Sequence, residues 1–225
     1  LLLSSVEPGK GWEGGPARWL LRPGGLVGDP LPESVIRAAL RRSEGLCAPC
    51  LLETGEGRFF LEPYLPQDAV YIAGAGKVSR MLAPLAVLAG FRVVVLDVEA
   101  VFANRERFPE ADEVLALTSF DDCFAGRTVD ASSSVVVATR GHAYDREVLA
   151  QALRTDAGYV GMMGCRADGR ARLEQLLREG FSEEAIARVH TPIGLPIGGS
   201  SPEESAMSIA AELIQCRTER RKRGR

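Results

Sequence analysis

From residue 67 onward the apolar positions switch repeatedly between two spacings. Short continuous apolar runs fall at Ala69–Ala73 and Phe91–Leu96, with others near 113–117, 134–138 and 159–163. Runs of that length read as buried strands. Between them the spacing is helical. Val78, Met81, Leu82, Leu85 and Leu88 place a helix near 77–89, and further helices are predicted near 144–154, 167–179, 183–188 and 202–216. Strands alternating with helices imply a parallel sheet with helices on its faces. Punctuation supports the boundaries. Gly90 and Gly180 end helices, Ser182 with Glu183 and Glu184 starts one, and Ser201-Pro202 with Glu204 reads as a capping box. Pro84 lies inside the first of these helices and predicts a kink.

The pattern before residue 67 is different. Ala17–Leu21 is a short strand, followed by the turn Arg22-Pro-Gly-Gly25. Pro32–Arg42 is a short helix with Val35, Ile36, Ala39 and Leu40 on one face. Cys50–Glu53 and Arg58–Glu62 flank Thr54-Gly-Glu-Gly57, a β-hairpin pattern. The predicted fold class is therefore α/β: a Rossmann-like parallel-sheet domain over 67–216, preceded by a small α+β domain over 1–66. Residues 217–225 carry six basic side chains and one acid, the composition of a disordered tail.

Bulk properties narrow the function. At 225 residues and 46% hydrophobic content the chain can bury a core, and a formal charge of −3 gives no general attraction to nucleic acid or to a membrane surface. No apolar run approaches the ~20 residues of a membrane span, and Leu1–Leu3 is too short for a signal-peptide core. Five cysteines, an odd number, fit a reducing cytosol better than a disulfide framework, so a cytoplasmic location is expected.

In an open parallel sheet, ligands bind beyond the carboxyl ends of the strands, so the residues after each strand carry the chemistry. Gly74-Ala-Gly76-Lys77 follows the first strand. Gly74 can take angles closed to other residues, and Gly76 lets a diphosphate approach the backbone. The next helix would point its N–H groups and positive dipole end at that phosphate. Ser79 stands where the third glycine of G-x-G-x-x-G would be, and is small enough for close packing. Asp97 ends the second strand, near the spacing at which a carboxylate accepts from ribose hydroxyls. Thr139-Arg140-Gly-His142 follows the 134–138 strand, with Asp145 close behind. Gly164-Cys165-Arg166 follows the 159–163 strand and opens a helix. Two glycine turns, three basic side chains and one histidine on one edge suit an anionic, phosphate-bearing ligand.

Each feature has a plainer alternative. The glycines can serve tight turns alone, Asp97 can cap a loop, His142 can donate to a backbone carbonyl, and Arg140 and Arg166 can pair with surface carboxylates. Cys165, at a helix N-terminus beside Arg166, is either a reactive thiol or a small buried residue. Cys47-Ala-Pro-Cys50 is half of a tetrahedral zinc site, and no second Cys/His pair has matching spacing, so no metal site is expected. No catalytic triad is evident, and no catalytic residues are assigned.

Taken together, Gly74-Ala-Gly76, Phe102-Ala-Asn-Arg-Glu-Arg-Phe-Pro-Glu-Ala-Asp112, Thr139-Arg-Gly-His142, Tyr159-Val-Gly-Met-Met-Gly-Cys-Arg166 and His190-Thr-Pro-Ile-Gly194 resemble the XdhC/CoxI family. These are accessory factors of xanthine dehydrogenase and related molybdenum hydroxylases. The resemblance covers roughly residues 60–216 in the family's motif order. It departs at Lys77 and Ser79, at Val98-Glu99 and at Cys165, and residues 1–66 lack the family's usual N-terminal motifs. The resemblance implies a maturation chaperone that binds molybdenum cofactor (molybdopterin), supports its sulfuration and inserts it into an apo molybdenum hydroxylase. A cysteine desulfurase is the implied second partner, and a homodimer the candidate assembly. The cofactor-binding residues implied are Gly74, Gly76, Lys77, Asp97, Arg140, His142, Gly164, Cys165 and Arg166. The alternative is an NAD(P)-dependent oxidoreductase or a nucleotide-binding regulatory protein, which the strand–glycine–helix–strand–acid order also allows.

Overall fold

The computed structural model describes residues 1–6, 17–22, 24–43, 46, 48–64 and 67–223. The chain divides into two compact units, one of residues 1–66 with 219–225, the other Gln67–Thr218.

The first unit is a five-stranded antiparallel sheet covered by one helix. Its strands are β1 (Leu2–Ser5), β2 (Arg18–Arg22), β3 (Gly25–Val27), β4 (Cys50–Thr54) and β5 (Gly57–Glu62), in the order β3-β2-β1-β5-β4. Alternation decides which face is buried: Trp19 and Leu21 on β2, and Phe59 and Leu61 on β5, point inward while their neighbours face out. With Leu3 and Leu52 they pack against Val35 and Ala39 of α1 (Glu33–Ser43). The expected hairpin and helix are present. β1 and β3 were not predicted, because four- and three-residue strands carry too little pattern. The predicted 22–25 turn includes Pro23, which lies outside the described residues, as does Cys47 of the Cys-x-x-Cys pair.

The second unit is a six-stranded, wholly parallel sheet. β6 (Ala69–Ala73), β7 (Arg92–Asp97), β8 (Glu113–Ala116), β9 (Ser134–Val137), β10 (Tyr159–Met162) and β11 (Val189–His190) are ordered β11-β10-β9-β6-β7-β8. The central strands are buried on both faces, which explains their continuous apolar runs. One apolar layer lies under α3 (Asp145–Ala152) and α4 (Arg166–Arg178), and the other under α2 (Lys77–Leu88) and α6 (Pro202–Arg223). A short helix, α5 (Glu183–Ala187), leads into β11. Strand order reverses between β6 and β9, so a crevice opens at their carboxyl ends.

Local signals act as the sequence implies. Ser201 Oγ accepts from the Glu204 amide at 3.1 Å, and Glu204 accepts from the Ser201 amide at 2.9 Å. Ser182 caps α5 through the Ala185 amide. Helix α2 continues through Pro84 to Leu88 before Gly90 turns the chain at φ +82°. The tail requires a correction: α6 does not fray at 217 but runs to Arg223. Residues 217–223 contain no glycine or proline and consist of good helix formers with one threonine, whose hydroxyl donates to the Ile214 carbonyl at 2.9 Å. Arg217 adds a further tie, donating to the Ala89 carbonyl and lying over the Phe91 ring. Among the described residues, no helix is long and apolar enough to cross a membrane.

Candidate functional site

The crevice at the switch point is built from three strand ends. From β6 comes the glycine turn. Gly74 has φ +109°, and a Cβ there would meet the Ala138 carbonyl oxygen at 2.1 Å. This glycine is demanded by the fold, because β9's backbone crosses directly against it. Gly76 is different. A Cβ there would meet only the Arg140 Cγ, at an ordinary 3.8 Å. Gly76 is also the N-cap of α2 and offers no side-chain cap. The first N–H groups of α2 therefore face an open position that a small anion could fill. Ser79, in the next turn, is buried with its hydroxyl unpartnered, and fills the place of a third glycine.

From β9 comes Arg140. Its guanidinium lies 3.9 Å from the centre of the Phe102 ring and 3.4 Å from the Glu99 carboxylate. Phe102 thus packs against the arginine beside the glycine turn. The pairing with Glu99 realises the surface ion pair that sequence allows, but at about 40% exposure the arginine stays accessible to an anion.

The same loop carries His142 at φ +60°, a left-handed conformation rarely taken by a non-glycine residue. Its Nδ1 lies 2.7 Å from Asp145 Oδ2. Asp145 is buried and accepts at its other oxygen from the Thr139 hydroxyl, at 2.6 Å. Arg172 of α4 closes the group, donating to the His142 carbonyl at 3.1 Å and standing 3.6 Å from Asp145. The histidine ring is oriented by a buried carboxylate. Gly164, after β10, lies next to it: a Cβ on that glycine would sit 3.6 Å from His142 Cε1. Asp145 and Thr139 were expected only as neighbours in sequence. Their role as supports of His142 is a property of the loop geometry.

Two expectations change. Asp97 does not project toward a ribose. It is buried, its Oδ2 accepts from the Ala75 amide at 2.6 Å and its Oδ1 from the Glu99 amide at 3.0 Å. Its carboxylate braces the glycine turn from behind. Cys165 is not a small buried residue. It is exposed, and its sulfur caps α4, accepting from the Asp168 amide at 3.4 Å while the thiol donates to Asp168 Oδ2 at 2.9 Å. The two glycine turns follow β6 and β10. β9 lies between them, two strand spacings or roughly 9–10 Å. Lys77 and Arg166, the first residues of α2 and α4, are both exposed at the rim. The structure therefore brings Gly76 beside Arg140 and Gly164 beside His142 at the carboxyl ends of neighbouring strands, with Lys77 and Arg166 exposed at the starts of α2 and α4 and Asp97 behind the glycine turn.

Comparison with known proteins agrees with the fold. The chain spans less than half the length of the curated relatives it matches. It is 32% identical over 156 residues to Uncharacterized protein YqeB of Escherichia coli, covering 69% of this chain and 28% of that protein. It is 29% identical over 159 residues to a probable xanthine dehydrogenase subunit of Bacillus subtilis, covering 70% of this chain and 46% of that one. A crystal structure described as a xanthine dehydrogenase from Bacillus halodurans superposes with a TM-score of 0.71 at 23% identity, over 96% of this chain and 58% of that one. The family model for the XdhC Rossmann domain matches residues 70–213. The chain belongs to the XdhC family.

Proposed function

We propose that this chain is an accessory factor of a xanthine dehydrogenase-type molybdenum hydroxylase, and that the switch-point crevice holds the phosphate end of molybdenum cofactor. The uncapped start of α2 at Gly76, open beside Arg140, carries the reading. A phosphate needs N–H donors, a positive dipole end and a guanidinium; the start of α2 would supply the first two, and Arg140, whose side chain passes beside Gly76, the third. The residues fit the group on steric grounds as well, because the fold itself does not require Gly76 to lack a side chain. His142, set by Asp145, would offer a hydrogen bond to the polar ring edge, and Arg166 and Lys77 would add charge at the rim. The cofactor, when bound, supplies the redox chemistry of the client enzyme. The chain's own part is to bind, orient and release it, to present it to a cysteine desulfurase for sulfuration, and to pass it to the apo hydroxylase. The family match and the names of the relatives support the accessory role.

Calorimetric titration with molybdopterin tests this. Gly76→Asp puts bulk and negative charge at the phosphate position, and Arg140→Ala removes one charge-assisted contact. Loss of that contact costs about 1.5–3 kcal/mol, or roughly tenfold to more than a hundredfold in affinity. The Gly76→Asp effect is expected to be larger, and that of Arg166→Ala smaller. Unchanged affinity in the first two variants, with normal melting curves, would sink the site.

A second reading, nicotinamide binding, is favoured by one observation: an Asp-oriented histidine at the β9 end of a dinucleotide-type sheet is a proton donor in waiting. Against it, Asp97 is already committed to the Ala75 and Glu99 amides. Quenching of NADH fluorescence by the protein, lost in His142→Ala, would favour it.

A further inference from the structure

The sequence offers no zinc-type spacing, yet folding assembles a donor set on the opposite side of the edge strand. His190 ends β11 and pairs in register with Gly161 of β10. Glu212 and Cys216 lie one turn apart on α6, which covers that face of the sheet. One ligand atom from each of the three comes within 4.8 Å of the others, the one such grouping among the described residues. We propose that His190, Glu212 and Cys216 form a binding site for a divalent transition metal of the zinc class. This inference does not depend on the cofactor crevice.

The chemistry of the set is selective. An imidazole nitrogen, a carboxylate oxygen and a thiolate sulfur form a mixed N, O, S group that suits zinc or cobalt, and does not suit calcium or magnesium. Three protein ligands leave a fourth position for water. The supporting shell is already in place. Glu212 is buried, and while Oε1 faces His190 Nδ1 at 2.8 Å, Oε2 accepts from the Gly194 amide. Such a backbone contact fixes the direction of a ligating carboxylate. The Tyr159 ring packs on His190 with centroids 4.6 Å apart. Its hydroxyl, on a residue only 2% exposed, faces Glu212 and Cys216 without forming a hydrogen bond of good geometry. A buried hydroxyl in that state is costly, and a metal-bound water would give it a partner. His190 is 44% exposed and provides the way in.

In the metal-free arrangement His190 Nδ1 lies 2.8 Å from Glu212 Oε1. Neighbouring ligands around a tetrahedral zinc stand roughly 3.3 Å apart. The pair must therefore open by about half an ångström as the thiol swings in. Binding would replace the direct His190–Glu212 contact with bonds to the metal, with Cys216 ligating through its sulfur.

The full chain is titrated with cobalt(II) and followed by absorption. A thiolate-to-cobalt charge-transfer band is expected, displaced by zinc, lost in Cys216→Ser and retained in Cys165→Ser. Glu212→Gln and His190→Ala are expected to weaken binding at least tenfold. If Glu212→Gln unfolds, zinc protection of Cys216 from alkylation in the unmodified chain gives the same answer. No thiolate band, no zinc protection of Cys216, or a band that survives Cys216→Ser would overturn the proposal and leave the three residues as a clamp on the 190–194 loop.

Discussion

The Asp97 carboxylate reaches back 22 residues to accept the Ala75 amide at 2.6 Å, and so ties the end of β7 to the glycine turn after β6. Both its oxygens serve backbone N–H groups at the base of the crevice. Asp97→Ala should leave the buried Ala75 amide without a partner and destabilise the fold by about 1–3 kcal/mol. Asp97→Asn keeps one acceptor oxygen and should fall between. Urea melts measure both. An Asp97→Ala protein as stable as its parent would show that the turn holds its shape unaided.

The two glycines of the turn should separate cleanly. Gly74→Ala forces a Cβ against the Ala138 carbonyl from a left-handed backbone, and neither backbone can give. The cost should be at least about 3 kcal/mol. Gly76→Ala meets only an ordinary contact and should change stability by less than about 1 kcal/mol. Equal melting midpoints for the two would contradict the geometry.

Helix and strand positions were legible because buried parallel strands give apolar runs and their helices give three-to-four spacing. The caps at Ser182 and Ser201 were legible because they depend on residues three apart. What the sequence hid was side-chain direction. An aspartate ending a strand looks the same whether it faces a ribose or, as Asp97 does, the turn behind it. His142 could be placed on the ligand edge, but its dependence on Asp145, Thr139 and Arg172 arises from a left-handed bend that no pattern announces. The grouping of His190, Glu212 and Cys216 was hidden by separation along the chain. The continuation of α6 was hidden by charge, since a basic run reads as solvated tail even where it can stay helical.

Asp145 should matter more than an average buried carboxylate. Asp145→Ala leaves Thr139, His142 and Arg172 without their common partner, and removal of one member of a buried charged group costs roughly 3–5 kcal/mol. Nitrogen NMR of His142 gives a readout specific to the pair: the Nδ1–H signal held by Asp145 should disappear in the variant. A melting loss without change in that signal would assign Asp145 a packing role only.

The cysteines should react in a fixed order. Burial pushes the Cys123 thiol up to about 12, outweighing the lowering effect of its backbone hydrogen bond and of Arg127. At pH 7 the Cys123 side chain is therefore a thiol rather than the reactive thiolate, and it is buried. Cys165 is exposed. Mass spectrometry after brief iodoacetamide treatment should find Cys165 labelled and Cys123 intact until the protein unfolds. Early labelling of Cys123 would show that its layer opens locally.

The start of α6 should carry an acid-sensitive contribution to stability. The Glu204 carboxylate accepts from the Ser201 and Ser200 amides, each at 2.9 Å, and these bonds hold its pKa below the usual glutamate range. The folded value is thus lower than the unfolded one. The contribution is fully present above the unfolded pKa, which is about 4.3. It is lost as pH falls through the folded value, because the unfolded chain takes up the proton more readily. Glu204→Gln keeps the shape and one acceptor oxygen but removes the charge that favours a helix N-terminus. At neutral pH the variant should melt at lower urea concentration than the parent. The difference should shrink as pH drops below the ordinary glutamate range and vanish where Glu204 is protonated in both states. A gap that persists unchanged at low pH would mean that the variant disturbs packing, and that the charge of the cap contributes nothing.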